Sequence, residues 1–407
     1  TNGATLLLNN TAAANNTNRL SDAGPITLFG GTLTFTNDNG AADFCENAGT
    51  LTAGDGASNV SVAQAPEGQT ASLRFASLGR ANGGTLNFSG AGLGESDRSR
   101  IFIAGQPQGP LGSWVTVNGA QPAFYDTSRG VCLTSAWAVT SIAARGPSSV
   151  IPDDASAEVR ITEPGESGPI TLAGDPTTGI AALWQCVNTD AVVATSSKTL
   201  RTYTVGITNN QAALTLGENV GDGTVTPLAA GGKLDFDNRS GSALTVNATL
   251  EDNGTASSIA KNGNGDLVIN GETRYTGATE INAGTLTFGG HSVTQRIAGV
   301  ISGSGALAKS GTNLLHLAGA NTFTGPATLS AGIVRVSQGT AFGTASAGTV
   351  IADGATLDLG GAAAADTLNM QQEAVTVQGA GADGRGAIIN GSANQQIYAV
   401  GKMELTG

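Results

Sequence analysis

A glycine followed by an alternating pair of large apolar residues recurs along this chain, and no other feature restricts its fold as much. The unit reads Gly31-Thr-Leu33-Thr-Phe35, Gly84-Thr-Leu86-Asn-Phe88, Gly232-Lys-Leu234-Asp-Phe236 and Gly284-Thr-Leu286-Thr-Phe288. Variants are Gly3-Ala-Thr-Leu6-Leu-Leu8 and Gly354-Ala-Thr-Leu357-Asp-Leu359. Alternation with period two marks a half-buried strand. The strands are short and separated by Gly/Asn-rich turns, with no stretch long enough for a crossover helix, so βαβ units are excluded. A β-sandwich array, a propeller and a solenoid remain. Because the apolar pair always follows a glycine, as where a coil turns a corner, the pattern favours a solenoid in which neighbouring coils bury each other's inward residues. About 20 residues per coil would give roughly 20 coils. At about 4.8 Å per coil that is a rod on the order of 100 Å long.

Composition agrees. Glycine supplies 60 of 407 residues, about twice the roughly 7% average. It takes φ > 0 freely, as tight turns require. Only 4% of residues are aromatic and 12% charged, which suits thin stacked layers better than a large globular core.

The strongest internal match is gapless and keeps one fixed offset throughout. Lys261-Asn-Gly-Asn-Gly-Asp-Leu-Val-Ile-Asn-Gly271 lies over Lys309-Ser-Gly-Thr-Asn-Leu-Leu-His-Leu-Ala-Gly319, Tyr275-Thr-Gly277 over Phe323-Thr-Gly325, and Ile281-Asn-Ala-Gly284 over Leu329-Ser-Ala-Gly332. Fixed-period self-similarity denotes a repeat architecture. A propeller would need repeats of roughly 40–50 residues carried evenly through the chain, and this match covers one pair. The expected organisation is solenoid coils over 1–100, irregular or wider coils over 101–200, and coils with the clearest repeats (261–290 and 307–338) over 201–407, in one continuous solenoid. Trp114, Trp137, Trp184, Cys132 and Cys186 fall in the middle segment, where the glycine-led unit disappears.

The segment Leu307-Ala-Lys-Ser-Gly-Thr-Asn-Leu-Leu-His-Leu-Ala-Gly-Ala-Asn-Thr-Phe-Thr-Gly-Pro-Ala-Thr-Leu-Ser-Ala-Gly332 resembles the autotransporter-associated β-strand repeat of bacterial surface proteins. The opening Asn9-Asn-Thr to Asn18-Arg-Leu-Ser-Asp22, then Ile26-Thr-Leu-Phe-Gly-Gly31, is similar to the start of long modules that carry these repeats. Ile101-Phe-Ile to Ala123-Phe-Tyr-Asp126 and Gly384 to Gly407 resemble other stretches of them. The first copy departs where Glu272-Thr-Arg-Tyr replaces Ala-Asn-Thr-Phe. The resemblance implies an all-β, right-handed parallel β-helix, secretion across the cell envelope, and a passenger, adhesin or filament role at the outer surface. It implies no active site.

Net charge of −12 with only 19 Lys and Arg argues against nucleic acid and anionic membrane surfaces, both of which reward basic clusters. No apolar run reaches the roughly 18 residues that span a bilayer. The chain starts at Thr1 with no basic and apolar leader, so either the leader is cleaved or the chain is a fragment; Met403-Glu-Leu-Thr-Gly407 reads as the middle of a strand-and-turn pattern. Cys45, Cys132 and Cys186 are too few for a disulfide framework or a zinc site. A Cys132–Cys186 bridge stands as the alternative to three buried thiols.

Catalysis through histidine is confined to His291 and His316, and alternation points His316 outward between Leu315 and Leu317. Asp153-Asp154, Glu163/Glu166 and Glu95/Asp97 are the carboxylate pairs that could serve glycoside cleavage, which needs two carboxyls facing across a cleft. As neighbours in turns they read as solvated charges. Glu218-Asn-Val-Gly-Asp222 lacks the dense spacing of calcium-binding nonapeptides. Gly379-Ala-Gly-Ala-Asp-Gly384 lacks the Lys-Ser/Thr and following helix of a phosphate loop. Asn-x-Ser/Thr sites begin at Asn9, Asn15, Asn59, Asn87, Asn238, Asn247, Asn253 and Asn390, as this composition produces by chance.

The sequence reading is therefore a non-enzymatic structural or adhesive segment of an extracellular stalk or fibre, with no catalytic, cofactor-binding or metal residues. Its expected partners are itself, head to tail or within a longer parent chain, and host or matrix glycans. A solenoid polysaccharide hydrolase or lyase and a strand-donating β-sandwich subunit are the alternatives. Leu33, Phe35, Leu86, Phe88, Leu234, Phe236, Leu286, Phe288, Leu315, Leu317, Val334, Val336, Leu357 and Leu359 should face the core. Thr34, Asn87, Asp235, Thr287, His316, Arg335 and Asp358 should face solvent.

Overall fold

The computed structural model describes residues 3–15, 18–81, 83–106, 109–112, 114–119, 121–133, 139–146, 148–208, 210–290 and 294–406. Among them, strands and turns account for all but one helical turn, Ala12–Ala14, whose Ala14 N–H donates to the Thr11 hydroxyl at 3.0 Å. The chain forms two compact units, Thr1–Trp137 and Ala138–Gly407. Strands in each stack in parallel, each pairing with the strand one coil on. This is a β-solenoid, and it removes the β-sandwich alternative.

In the first unit, Thr5–Asn9, Thr32–Thr36, Ala57–Val62, Thr85–Ser89 and Val115–Val117 build one face, while Ile26–Leu28, Phe44–Ala53, Ala71–Arg80 and Arg100–Ile103 build another. Leu33, Val60, Phe88 and Val117 lie in register as one fully buried column. Within Phe44–Ala53 the inside-outside alternation slips at Ala48-Gly49. There the strand bends: Gly49 N–H donates to the Gly24 carbonyl at 3.1 Å, and a Cβ on Gly49 would sit 2.4 Å from that same oxygen. Only glycine lets the backbones approach so closely. The parallel order gives way over 109–133, where Gln121–Asp126 pairs antiparallel with Val115–Val117, Gly130–Leu133 and Gly109–Pro110. Trp114 packs half-buried on this core; Trp137 lies outside the described residues.

The second unit has three faces. One stacks Thr204–Ile207, Lys233–Asn238, Ser258–Asn262, Thr279–Ile281 and Ile301–Gly303 on the end of Thr177–Gln185. The next runs from Ala191–Val193 through Leu244–Val246, Leu267–Ile269, Thr285–Phe288, Ala306–Lys309 and Ala327–Leu329 to Val400–Leu405. The third begins with Thr199–Thr202, Thr224–Pro227 and Thr249–Leu250, passes through Thr273, and continues as Gln295–Ile297, Leu314–Leu317, Gly332–Val336 and Ala355–Asp358. Trp184 is buried in Thr177–Gln185, with the Arg239 guanidinium 5.7 Å from its ring.

Coil length differs from the sequence expectation. The expected short coil is found on the second face, where Leu267 stacks on Leu286, Leu286 on Leu307 and Leu307 on Ala327. The neighbouring steps from Ile259 to Thr279 and from Leu314 to Ile333 on the other faces are as short, but other coils take up more chain. Thr204 stacks on Asp235, and in the first unit Thr5 stacks on Thr32, Ala57 on Thr85 and Leu86 on Val115. Wider coils mean fewer of them than the roughly 20 expected: five parallel strands stack on the first unit's face and ten on the second unit's longest face. The offset between the two repeat copies then has a geometric meaning. It is two short coils plus one further face. Ser258–Asn262 and Leu267–Ile269 of the first copy lie on the first and second faces, whereas their counterparts Ala306–Lys309 and Leu314–Leu317 lie on the second and third. The repeat thus precesses by one face while its inward residues stay inward.

All fourteen residues expected in the core are buried, Leu359 least so at 8% exposure. Thr34, Asn87, Thr287, His316 and Arg335 are partly exposed, as alternation requires. Asp235 and Asp358 correct the expectation, since they are only 9% and 1% exposed. Both leave the outer side of their strand, but longer neighbours close over them. Asp358 accepts from Arg335 Nε at 2.8 Å and from the N–H groups of Gly360 and Gly391 at 2.8 and 2.7 Å. These donors hold its carboxyl below the usual range although burial opposes them. Beside Asp235, Lys233 Nζ reaches across the intervening strand to Glu280 Oε1 at 2.8 Å. Burial above all, with the carboxylates of Asp237 and Glu280 against the ammonium of Lys233, pushes Asp235 up to about 7.

A stability prediction follows for Asp235. Its folded pKa exceeds its unfolded one, so the stability it contributes is present in acid and lost as pH rises through about 7. Asp235→Asn should therefore raise the urea unfolding free energy at pH 8 by about 1–3 kcal/mol and change it little at pH 4. Equal effects at the two pH values would refute the burial account.

Candidate functional site

A roomy recess on the described surface is built from regular strands of the first unit. Phe44–Ala53, Ala71–Arg80 and Arg100–Ile103 run side by side with Asn47, Arg74 and Phe102 in register. Ala48, Phe75 and Ile103 point into the core, so period two sends Asn47, Arg74 and Phe102 outward as one column. They line an open groove of about 530 Å³, together with Asp22, Gln106 and Thr127. At its floor the Ile103 N–H donates to the Tyr125 hydroxyl at 3.1 Å, and Tyr125 is buried.

The Arg74 guanidinium lies 4.4 Å from the Phe102 ring centroid, and that of Arg100 lies 6.0 Å away. A guanidinium over a ring is attracted by the ring's negative face and held in orientation by it. Other arginines of the unit each have at least one donor committed. Arg80 donates to the carbonyls of Gly84 and Gly83, Arg98 to Ala65, Arg100 to Ser96 and Ser128, and Arg19 pairs with Glu46. Arg74 is exposed and has no hydrogen-bond partner among the described residues. Its donors remain available for a ligand.

The residues singled out from sequence are not in this groove. Asp153 accepts the Gly179 N–H at 2.8 Å. Asp154 accepts the Ser156 hydroxyl and N–H at 2.7 and 2.9 Å, which hold its carboxyl low. Glu95, Asp97, Glu163 and Glu166 are exposed. Asp22 is the one carboxylate among the described residues lining the groove, whereas glycoside cleavage needs a facing pair. At Glu218–Asp222 the Asp222 carbonyl takes the Thr195 hydroxyl. Among the described residues, no group of three or more His, Cys, Asp or Glu side chains could hold a metal. The Gly379–Gly384 turn leads to the short strand Ile388–Ile389 and to no helix.

His316 Nε2 lies 2.7 Å from Ser337 Oγ, a distance that invites a nucleophile reading. The Ser337 hydroxyl, however, donates to the Gly361 carbonyl at 2.7 Å. The shared proton between ring and serine is then the imidazole's own, the reverse of base activation. Burial, with Arg296 and Arg335 in register on either side, holds His316 below its ordinary value. His291 lies outside the described residues. All three cysteines are free, so the Cys132–Cys186 bridge does not form. Burial pushes the Cys132 thiol up to about 11 and raises that of Cys186, which makes both poor nucleophiles.

Sequence reading missed Arg74 and Phe102. The signal that could have found them is coil spacing: Asn47, Arg74 and Phe102 follow one another at the period of the first unit, each one coil beyond the last.

Comparison with known proteins finds two likenesses. Residues 259–288 and 307–336 match the passenger-associated-transport-repeat family. Over 329 residues the chain is 28% identical to the Adhesin BmaC autotransporter of Brucella suis biovar 1 (strain 1330), across 80% of this chain and 9% of that protein. The chain therefore spans less than a tenth of that relative's length. No solved structure matches the chain. No helix among the described residues is long and apolar enough to cross a membrane.

Proposed function

The chain is an autotransporter-passenger-like β-solenoid, and from that premise we propose that it is a non-enzymatic, adhesive segment of a longer extracellular stalk. The observation that carries this reading is the alignment to an adhesin-named relative along 80% of the chain. The surface chemistry supports it. Charged side chains on the outer faces are largely tied to one another or to backbone, as in Arg160–Glu158, Arg239–Asp237 and Arg335–Asp358. The groove beside Arg74 offers recognition groups and a single carboxylate among its described lining residues.

The ends of the stacks support association with further coils or with another copy. Thr5–Asn9 and Val400–Leu405 are the outermost strands of their sheets. Leu7 is 56%, Met403 53% and Leu405 76% exposed. Unpaired edges with apolar side chains invite pairing.

Beads coated with the full chain should be retained on host cells or matrix several-fold more than beads coated with an unrelated protein. Electron micrographs of concentrated protein should show end-to-end filaments. Incubation with acidic and neutral glycans should yield no cleaved product. Failure of retention would overturn the adhesive reading, discrete non-associating particles would overturn association, and a product lost on Asp153→Asn would overturn the non-enzymatic one.

A further inference from the structure

We propose that the groove of the first unit is a saccharide-binding site selective for sugars that bear a carboxylate. The inference rests on the adhesive reading and names its ligand chemistry. The first unit holds six arginines and no lysine, so every basic side chain it presents is a guanidinium. Arg19, Arg80, Arg98 and Arg100 each hold at least one donor on a carbonyl or on Glu46, whereas Arg74, over Phe102 at 4.4 Å, has none so committed. A pre-oriented planar guanidinium matches a carboxylate through two parallel hydrogen bonds. Around it stand the amides of Asn47 and Gln106, the hydroxyl of Thr127 and the carboxylate of Asp22, which between them donate to and accept from ring hydroxyls.

An acidic peptide fits less well. An extended peptide binds a sheet through backbone hydrogen bonds at an open edge. Here Ala71–Arg80, the strand of Arg74, is paired on both sides along the groove, and on the outermost strand the Ile103 N–H is taken by Tyr125. At Arg74 the groove therefore presents side chains from the outer surface of the sheet.

The test uses the full chain and four polymers: polygalacturonate and hyaluronan as uronate carriers, dextran as a neutral glycan, and poly-L-glutamate as an acidic peptide. Both uronate polymers should bind, weakening with added salt, and dextran and poly-L-glutamate should not. Arg74→Gln should weaken uronate binding at least tenfold. Arg74→Lys should weaken it nearly as much, because a point charge lacks the planar fork. Arg129→Gln removes the same charge from an exposed position outside the groove lining and should leave binding unchanged, with melting temperature verifying that each variant folds. Equal loss in Arg129→Gln, tighter binding of poly-L-glutamate or dextran, or no uronate binding would each overturn the assignment. Beads that still adhere to cells in those cases leave the adhesive reading standing and remove the uronate site alone; beads that also fail to adhere remove both.

Discussion

Phe288→Ala is expected to cost about 3–5 kcal/mol, the range for emptying a large buried aromatic site, and to do so locally. Phe288 is fully buried between Ile269 and Lys309 in the column of the second face. A solenoid coil buries its inward residues only against the coils on either side, so stability is close to a sum of coil and nearest-interface terms. Backbones also meet closely nearby: a Cβ on Gly311 would sit 1.8 Å from the Gly290 carbonyl oxygen, which leaves little room for the cavity to collapse. Hydrogen exchange should accelerate in Leu267–Ile269, Thr285–Phe288 and Ala306–Lys309, and protection of Thr32–Thr36 and Ala57–Val62 in the first unit should not change. Thr287→Ala, one residue away on the outer side, should move stability by no more than about 0.5 kcal/mol. Uniform loss of protection in both units would show one cooperative body and refute the nearest-neighbour account.

The contrast between Phe288 and Thr287 was legible in the sequence because it depends on one property, period-two alternation, that a strand cannot evade. The same holds for Leu33, Phe35, Val334 and Val336, all buried. Coil length was not legible, because it is set by how much chain each corner takes, and the corners vary. The step from Leu214 to Leu244 takes up half as much chain again as the step from Leu267 to Leu286 on the same face. The groove was hidden for the same reason. Asn47, Arg74 and Phe102 become neighbours only through the long steps of the first unit, and nothing in their local sequence marks them. The match between the two repeat copies shows repeated sequence without repeated position, since they occupy different faces. Asp235 and Asp358 failed for a further reason: facing outward from a strand is not exposure when Lys233 or Arg335 closes over the site.

Lys261 is a charged residue that the fold takes inside. Lys261 is fully buried in the column Val205, Phe236, Lys261, Ile281. Its stem packs with the apolar residues, and its Nζ donates to the carbonyls of Asn262, Gly263 and Ala283 at 2.8, 2.8 and 3.0 Å. The ammonium thus closes a corner whose carbonyls have turned inward. Lys309, the matching residue of the second copy, is also buried and donates to the Gly311 carbonyl. Lys261→Ala removes the stem and leaves three acceptors without their donor, so the expected cost at pH 7 is about 3–5 kcal/mol. The cost should also depend on pH in a definite direction. Burial lowers Lys261 to about 8, against the pull of Asp237 and Asp266. Between pH 8 and about 10.5 the unfolded chain holds a proton that the folded chain has released. Wild-type stability relative to the variant must then rise with pH in that window. The gain is bounded by about 3 kcal/mol and reduced by the three carbonyls, which favour the charged form. Urea unfolding of wild type and Lys261→Ala at pH 7, 9 and 10 measures both quantities. A loss below about 1 kcal/mol at pH 7, under half the smallest cost expected of such a deletion, would show that the carbonyls find other donors. Parallel pH profiles would show that the buried amine keeps its proton throughout.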